Sequence, residues 1–310
     1  MARLAALASL ASLAAISACA DELPTEPITA PGDYRRSVEL DDQTRSYQVH
    51  VPATLDLGQP APLLLAFHGV PSSAVEMREI SELDPVAAAE GFVVVYPEAS
   101  RTGDWNQSCR DCSAAGALEY DDVAFTEVVI EKMALDMRID LDRVYDTGFS
   151  QGALMAFRIA CELSHRVAAV ATVAATMLEW QGDHCVPSRA MPIAMIHGTD
   201  DEEFPQEGRG GGLVRAVSVD EMVAHWVATD GCAATPTTDD LPDVAADGTT
   251  VTRDTYAGCS GGAEVILYRV QGGGHTWPGS SYDFSPLLGV TSQDLAASQV
   301  IAGFVLGFTL

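Results

Sequence analysis

The chain has 310 residues, 47% of them hydrophobic and 20% charged, enough for one large α/β domain and inconsistent with extensive disorder. Its 44 acidic residues outweigh 17 basic ones, giving a net charge of −27. With no lysine- or arginine-rich run, that balance excludes a nucleic-acid partner and disfavours strongly anionic polymers as substrates.

The opening stretch, MARLAALASLASLAAISACADELPTEP, carries one early basic residue, Arg3, and an uncharged apolar run from Leu4 to Ala18. That run is too short to cross a bilayer comfortably, so residues 1–18 read as a signal peptide. Ala18-Cys19-Ala20 fits an ordinary small-x-small cleavage site, whereas Ile16-Ser17-Ala18-Cys19 resembles a bacterial lipobox with Cys19 lipidated. We adopt the lipobox. The protein is then expected to be exported, anchored to the cell envelope or secreted, with membrane contact only through an N-terminal lipid. Acidic, proline-rich residues 19–32 read as a flexible tether, and residues 33–310 as the folded domain.

Along the domain, apolar runs bounded by turn residues predict strands over Ser46–Val51, Pro62–Phe67, Phe92–Tyr96, Arg143–Thr147, Val167–Val173, Pro192–Ile196 and Val265–Val270. Several are apolar throughout, as in strands covered on both faces. Helical periodicity marks Asp121–Met137, Gln151–Ser164, Val219–Thr229 and Asp294–Phe308. Alternating strands and helices predict a mostly parallel sheet with helices on both faces. Residues 235–250 and 207–212 read as surface loops; the glycines of the latter neither follow the first strand nor open a helix, so they are no dinucleotide fingerprint.

Apart from Cys19, the cysteines are Cys109, Cys112, Cys161, Cys185, Cys232 and Cys259. An even number in an exported chain argues for disulfides. We take the sequence-neighbour scheme 109–112, 161–185 and 232–259, in preference to a redox pair or a zinc site at Cys109-Arg-Asp-Cys112.

Gly148-Phe149-Ser150-Gln151-Gly152 joins a predicted strand to a predicted helix. A serine on so sharp a turn is held with its hydroxyl exposed, beside the unpaired N–H groups that open the helix. It needs a base, and the base needs an acid; on this kind of scaffold they follow in the order serine, acid, histidine. MPIAMIHGTDDEEF ends a strand with Asp200 and Asp201, and VILYRVQGGGHTWPG ends another with His275. Both lie past strand carboxyl ends, where α/β sheets carry their sites. The pattern leaves Asp200 and Asp201 equivalent. His165 and His225 lie in helical patterns, His184 in a loop, His50 on an early strand; His197 precedes the acidic pair, and His68 is better placed to shape its own loop. Two backbone amides, of Val70 after the strand LLLAF and of Gln151, are the candidate oxyanion donors.

LLLAFHG, DDVAF, RVYDTGFSQGALMAFRIACE, IHGTDD and GGGHTWPG occur in that order. Together they resemble the polyhydroxybutyrate depolymerase-like / feruloyl esterase family of α/β-hydrolases, over residues 33–310. The resemblance implies an α/β-hydrolase fold without a large lid domain, and a serine esterase that needs no metal or organic cofactor. It matches the nucleophile to Ser150, the base to His275 and the acid to Asp201, four residues after the histidine of H-G-T-x-D. The family usually has cysteine where this chain has Val70, a change that a backbone donor tolerates. Cys161, Cys232 and Cys259 also resemble the family's disulfide cysteines. Trp105 and Trp277 are candidates for the substrate cleft, with packing as the alternative role.

The expected function is therefore an exported serine carboxylic ester hydrolase, acting on feruloyl or acetyl polysaccharide esters or on 3-hydroxybutyrate esters. The sequence shows no separate substrate-binding module after the last helical pattern, which favours soluble oligomers or small esters. A serine peptidase of the same fold and a non-catalytic cell-surface binding protein are the alternatives.

Overall fold

The computed structural model describes residues 27–40, 42–107, 114–117, 120–210 and 215–310. Its strands are β1 (Gly32–Leu40), β2 (Gln43–Val51), β3 (Ala61–Phe67), β4 (Val93–Pro97), β5 (Ile139–Phe149), β6 (Ala169–Val173), β7 (Ile193–Gly198), β8 (Thr237–Asp240), β9 (Thr250–Tyr256) and β10 (Val265–Gln271). Its helices are α1 (Ala74–Ser81), α2 (Leu83–Glu90), α3 (Ala114–Ala117), α4 (Asp122–Asp136), α5 (Gln151–Glu162), α6 (Glu179–His184), α7 (Val219–Asp230) and α8 (Ala297–Val305). The strands make one sheet in the order β1-β2-β4-β3-β5-β6-β7-β10-β9-β8. β4, β3, β5, β6, β7 and β10 run parallel, and antiparallel strands complete both ends.

β3 and β4 are buried at every residue because helices cover both faces of the sheet. Alternate side chains enter different cores. Leu63, Leu65 and Phe67 pack with Met133 of α4, Met155 of α5 and Trp226 of α7. Leu64 and Ala66 pack with Met77 of α1, Ala87 of α2 and Ile301 of α8. This is the three-layer α/β-hydrolase arrangement, and among the described residues no large lid domain is inserted in it.

All seven expected strands and all four expected helices are present, with shifted ends. The unexpected strands are β1, β8 and β9, all of them paired antiparallel. In β1 only Val38 is buried, so no apolar run marks it. β8 falls inside 235–250, corrected here from a plain loop to a loop with an edge strand; all four of its side chains are exposed. α8 starts at Ala297, later than the periodicity suggests, because Asp294 accepts the N–H groups of Val244 and Ala245. Ile28, within the segment read as tether, is buried and donates its N–H to Asp136, so the packed chain reaches back to that residue.

Cys161–Cys185 and Cys232–Cys259 are disulfides, as expected. Residues 1–18, Cys19, Cys109 and Cys112 lie outside the described residues. Among the described residues, no helix is long and apolar enough to cross a membrane.

Candidate active site

Ser150 sits between β5 and α5 with φ 56° and ψ −121°, a conformation that costs a non-glycine residue about 1–3 kcal/mol. Its N–H donates to the Val173 carbonyl at 3.0 Å, which holds the turn against the end of β6. The flanking glycines are required by close approach. A Cβ on Gly148 would lie 2.2 Å from the Gly152 oxygen, and one on Gly152 would lie 2.1 Å from the Phe67 oxygen.

β7 and β10 are parallel neighbours, so the loops after them meet beside this turn. His275 Nε2 lies 2.9 Å from Ser150 Oγ, and His275 Nδ1 lies 2.8 Å from Asp201 Oδ2. His275 and Asp201 are both buried, whereas the serine is part-exposed. The other oxygen of Asp201 accepts the N–H groups of Glu203 at 2.9 Å and Phe204 at 2.8 Å. That fixes the carboxylate before it meets the imidazole. Asp200 points elsewhere: its Oδ1 takes the Thr199 hydroxyl at 3.1 Å. The imidazole is flanked by aromatic rings, with Phe149 at 5.2 Å and Phe204 at 5.9 Å and nearly parallel. This constellation can pass a proton from a serine hydroxyl to an oriented imidazole whose positive form faces a carboxylate.

The remaining histidines have other partners. His197 is buried, with Nε2 2.8 Å from the Phe204 carbonyl, and burial pushes its pKa down. It thus supports the turn that grips Asp201. His68 is buried between the Gly69 carbonyl and the Ala99 N–H. His50 contacts Asp33 on β1, and His184 stacks on Trp180. His225 lies on α7, where burial lowers its pKa. His165 is exposed in a turn just past α5, not inside the helix as its pattern suggested.

Val70 follows β3 at 43% exposure, and Gln151 opens α5. A Cβ on Gly69 would lie 3.1 Å from that of Ser150, so the Val70 loop runs directly against the serine. The two tryptophans are corrected from cleft to packing. Both are fully buried; Trp105 Nε1 donates to the His68 carbonyl at 2.9 Å and Trp277 Nε1 to Ser298 Oγ at 3.0 Å. An indole is large enough to brace a loop from below, and each N–H needs an acceptor once buried. Phe204 went unnoticed in the sequence, because its contribution is made mostly through backbone atoms in an acidic run.

Residues 45–202 match the family model described as Esterase PHB depolymerase. A protein named as an esterase, NocK of Nocardia uniformis subsp. tsuyamanensis, is 30% identical over 285 residues, covering 88% of this chain and 82% of its own length. Feruloyl esterase B of Piromyces equi is 27% identical over 238 residues, 74% of this chain; the chain spans only 42% of that protein. Feruloyl esterase D of Neurospora crassa is 24% identical over 265 residues, 81% of each chain. The solved acetyl xylan esterase from Aspergillus awamori superposes with a TM-score of 0.58 at 15% identity, over 78% of this chain and 94% of that one, a likeness of fold. The model match and the Nocardia relative agree over most of the domain, and on them the chain belongs to the PHB depolymerase family of esterases.

Proposed function

We propose that the protein is a serine carboxylic ester hydrolase, with Ser150 as nucleophile, His275 as base and Asp201 as the acid that orients it. The observation that carries this reading is the continuous relay from Ser150 Oγ to His275 Nε2 at 2.9 Å and from Nδ1 to Asp201 Oδ2 at 2.8 Å. His275 accepts the hydroxyl proton as Oγ attacks the ester carbonyl. The tetrahedral oxyanion is held by the backbone N–H groups of Val70 and Gln151. His275 then protonates the departing alkoxide, leaving an acyl-serine. Water, deprotonated by the same imidazole, attacks that ester, and the acid is released as Ser150 recovers its proton.

The substrate class is an ester of feruloyl or acetyl type borne on a polysaccharide fragment; its feruloyl form is supported by the names of the Piromyces and Neurospora relatives. The family description favours a second class, 3-hydroxybutyrate oligomers. Purified protein offered methyl ferulate, acetylated xylan and hydroxybutyrate oligomers separates them by relative kcat/KM. The same preparation with Ser150→Ala must lose hydrolysis of p-nitrophenyl butyrate while keeping its circular dichroism; retained turnover refutes the serine mechanism.

Export through the lipobox-like leader, with Cys19 as the lipidated N-terminus, belongs to the same reading. The two disulfides support it, since such bonds persist in oxidising compartments. Intact mass of the mature protein tests it; an unlipidated N-terminus refutes the anchor.

A further inference from the structure

We propose that His68 is a positioning residue that aims one amide of the oxyanion hole, and that the loop after β4 braces both donor residues, one through His68 and the other through Trp105. The proposal rests on the esterase reading above and adds to it how the oxyanion donors are held.

Ala99 N–H lies 3.0 Å from His68 Nε2. An amide N–H can only donate, so Nε2 is the acceptor and the proton resides on Nδ1. Glu98 Oε1, 3.3 Å from the same nitrogen, is therefore a neighbour of an unprotonated atom. Nδ1 then donates to the Gly69 carbonyl at 2.7 Å. That carbonyl belongs to the same planar peptide unit as the Val70 N–H, and the two groups point in opposite directions. Fixing the oxygen on His68 therefore fixes the N–H on the far side of the unit, turned away from the imidazole. The bond also polarises the peptide, which makes that N–H a better donor.

The same loop reaches the second amide. Trp105 Nε1 donates to the His68 carbonyl, and Trp105 N–H donates to the side-chain oxygen of Gln151 at 3.1 Å. Asn106, next in the chain, donates its N–H to buried Asp122, which pairs with Arg45 at 2.6 Å. One braced loop thus grips the residue before the Val70 turn and the residue that opens α5. His68 is fully buried and the indole lies 5.0 Å from its ring. Such a preorganised arrangement avoids reorienting the donors when charge develops on the substrate oxygen.

The test separates the two hydrogen bonds of His68. In His68→Asn the side-chain amide keeps a donor at the Nδ1 position and loses the reach to Ala99. In His68→Gln an acceptor reaches Ala99, and the donor to Gly69 is lost. Steady-state kinetics on p-nitrophenyl butyrate are compared with inhibition by phenylboronic acid, which forms an anionic tetrahedral adduct on a reactive serine. For His68→Gln the expected result is kcat down by roughly 10- to 100-fold, KM within about twofold, and boronate affinity down in proportion to kcat. His68→Asn should retain most of kcat at a similar melting temperature. If a His68 variant does not fold, Trp105→Phe keeps an aromatic ring at the position and removes the N–H to the His68 carbonyl, and should lower kcat and boronate affinity together at constant KM. The proposal is overturned if His68→Gln, or Trp105→Phe in its place, keeps wild-type kcat and boronate affinity. It is also overturned if Asn and Gln lose activity equally, in step with stability. Boronate binding that survives Ser150→Ala would instead strike the serine reading itself.

Discussion

Gly148 and Gly152 face each other across the Ser150 turn so closely that a Cβ on the first would sit 2.2 Å from the carbonyl oxygen of the second. The second glycine in turn lies against the end of β3, where a Cβ would come within 2.1 Å of Phe67 O and 2.6 Å of His68 O. All of these neighbours are backbone, so none can rotate aside. Gly152→Ala is therefore expected to shift α5 away from β3, cost roughly 1–3 kcal/mol or more, and reduce kcat/KM by at least about 100-fold. Melting curves together with kinetics check this; a variant with normal turnover would mean that the elbow has slack.

The neighbouring acids Asp200 and Asp201 should respond differently to the same change. Asp201 is buried and holds His275 and two backbone N–H groups, while Asp200 bonds the side chain of Thr199. Asp201→Asn turns an acceptor into a donor opposite Nδ1–H and favours the wrong tautomer, with kcat falling on the order of 10⁴-fold. Asp200→Asn should stay within a few-fold of wild type. Paired kcat measurements decide, and a larger loss at Asp200 would reverse the assignment.

Arg45 and Asp122 form a buried ion pair at 2.6 Å that anchors the loop carrying Trp105. Burial raises the Asp122 carboxyl, opposed chiefly by the Arg45 charge and the Asn106 N–H. Arg45→Met leaves that carboxyl without its cation, at a cost of about 3–5 kcal/mol. We expect a fall in Tm of roughly 10 °C. Calorimetry reads it directly; a change of only a degree or so would show that the pair contributes little.

Asp146, on β5 two residues before Gly148, is fully buried, and desolvation pushes its carboxyl well above the usual carboxylate range, opposed only in part by the Thr147 N–H. Above the ordinary carboxyl pKa, the unfolded chain releases this proton while the folded chain retains it. Stability from this group is thus fully present at acid pH and declines as pH rises, by at most about 1.4 kcal/mol per pH unit. Asp146→Asn should match wild type near pH 4 and be more stable at pH 8. Thermal denaturation at both pH values tests the sign, and an equal shift at the two would refute it.

Reduction should loosen the fold without dismantling the relay. Cys161–Cys185 closes a loop with a sequence separation of 24 between the end of α5 and the end of α6. Replacing both cysteines by alanine should cost about 3 kcal/mol. The hydrolysis rate at a temperature well below the new Tm should stay within a few-fold of wild type, since neither cysteine touches Ser150, Asp201 or His275; a larger drop would link the bridge to the site.

Much of this protein was legible in its residues taken one segment at a time. The buried parallel strands showed as apolar runs because both of their faces meet helices, and the glycines around Ser150 showed because the turn admits no side chain. The order of Ser150, the acidic pair and His275 followed from loops at strand ends. β1, β8 and β9 were invisible, since an edge or half-exposed strand needs few apolar residues and is defined by its partner. Asp200 and Asp201 were separated in sequence only by resemblance; the contact with His275 depends on the turn that Glu203 and Phe204 close over one carboxylate.

The sequence by itself determined the α/β alternation, the elbow and the residue types of the relay, because these depend on local periodicity and on where a side chain is intolerable. Only the tertiary structure decided the work of His68, Trp105 and Phe204. Trp105 sits below the site because a buried indole N–H found the carbonyl of a residue 37 positions away, and no spacing along the chain encodes that meeting.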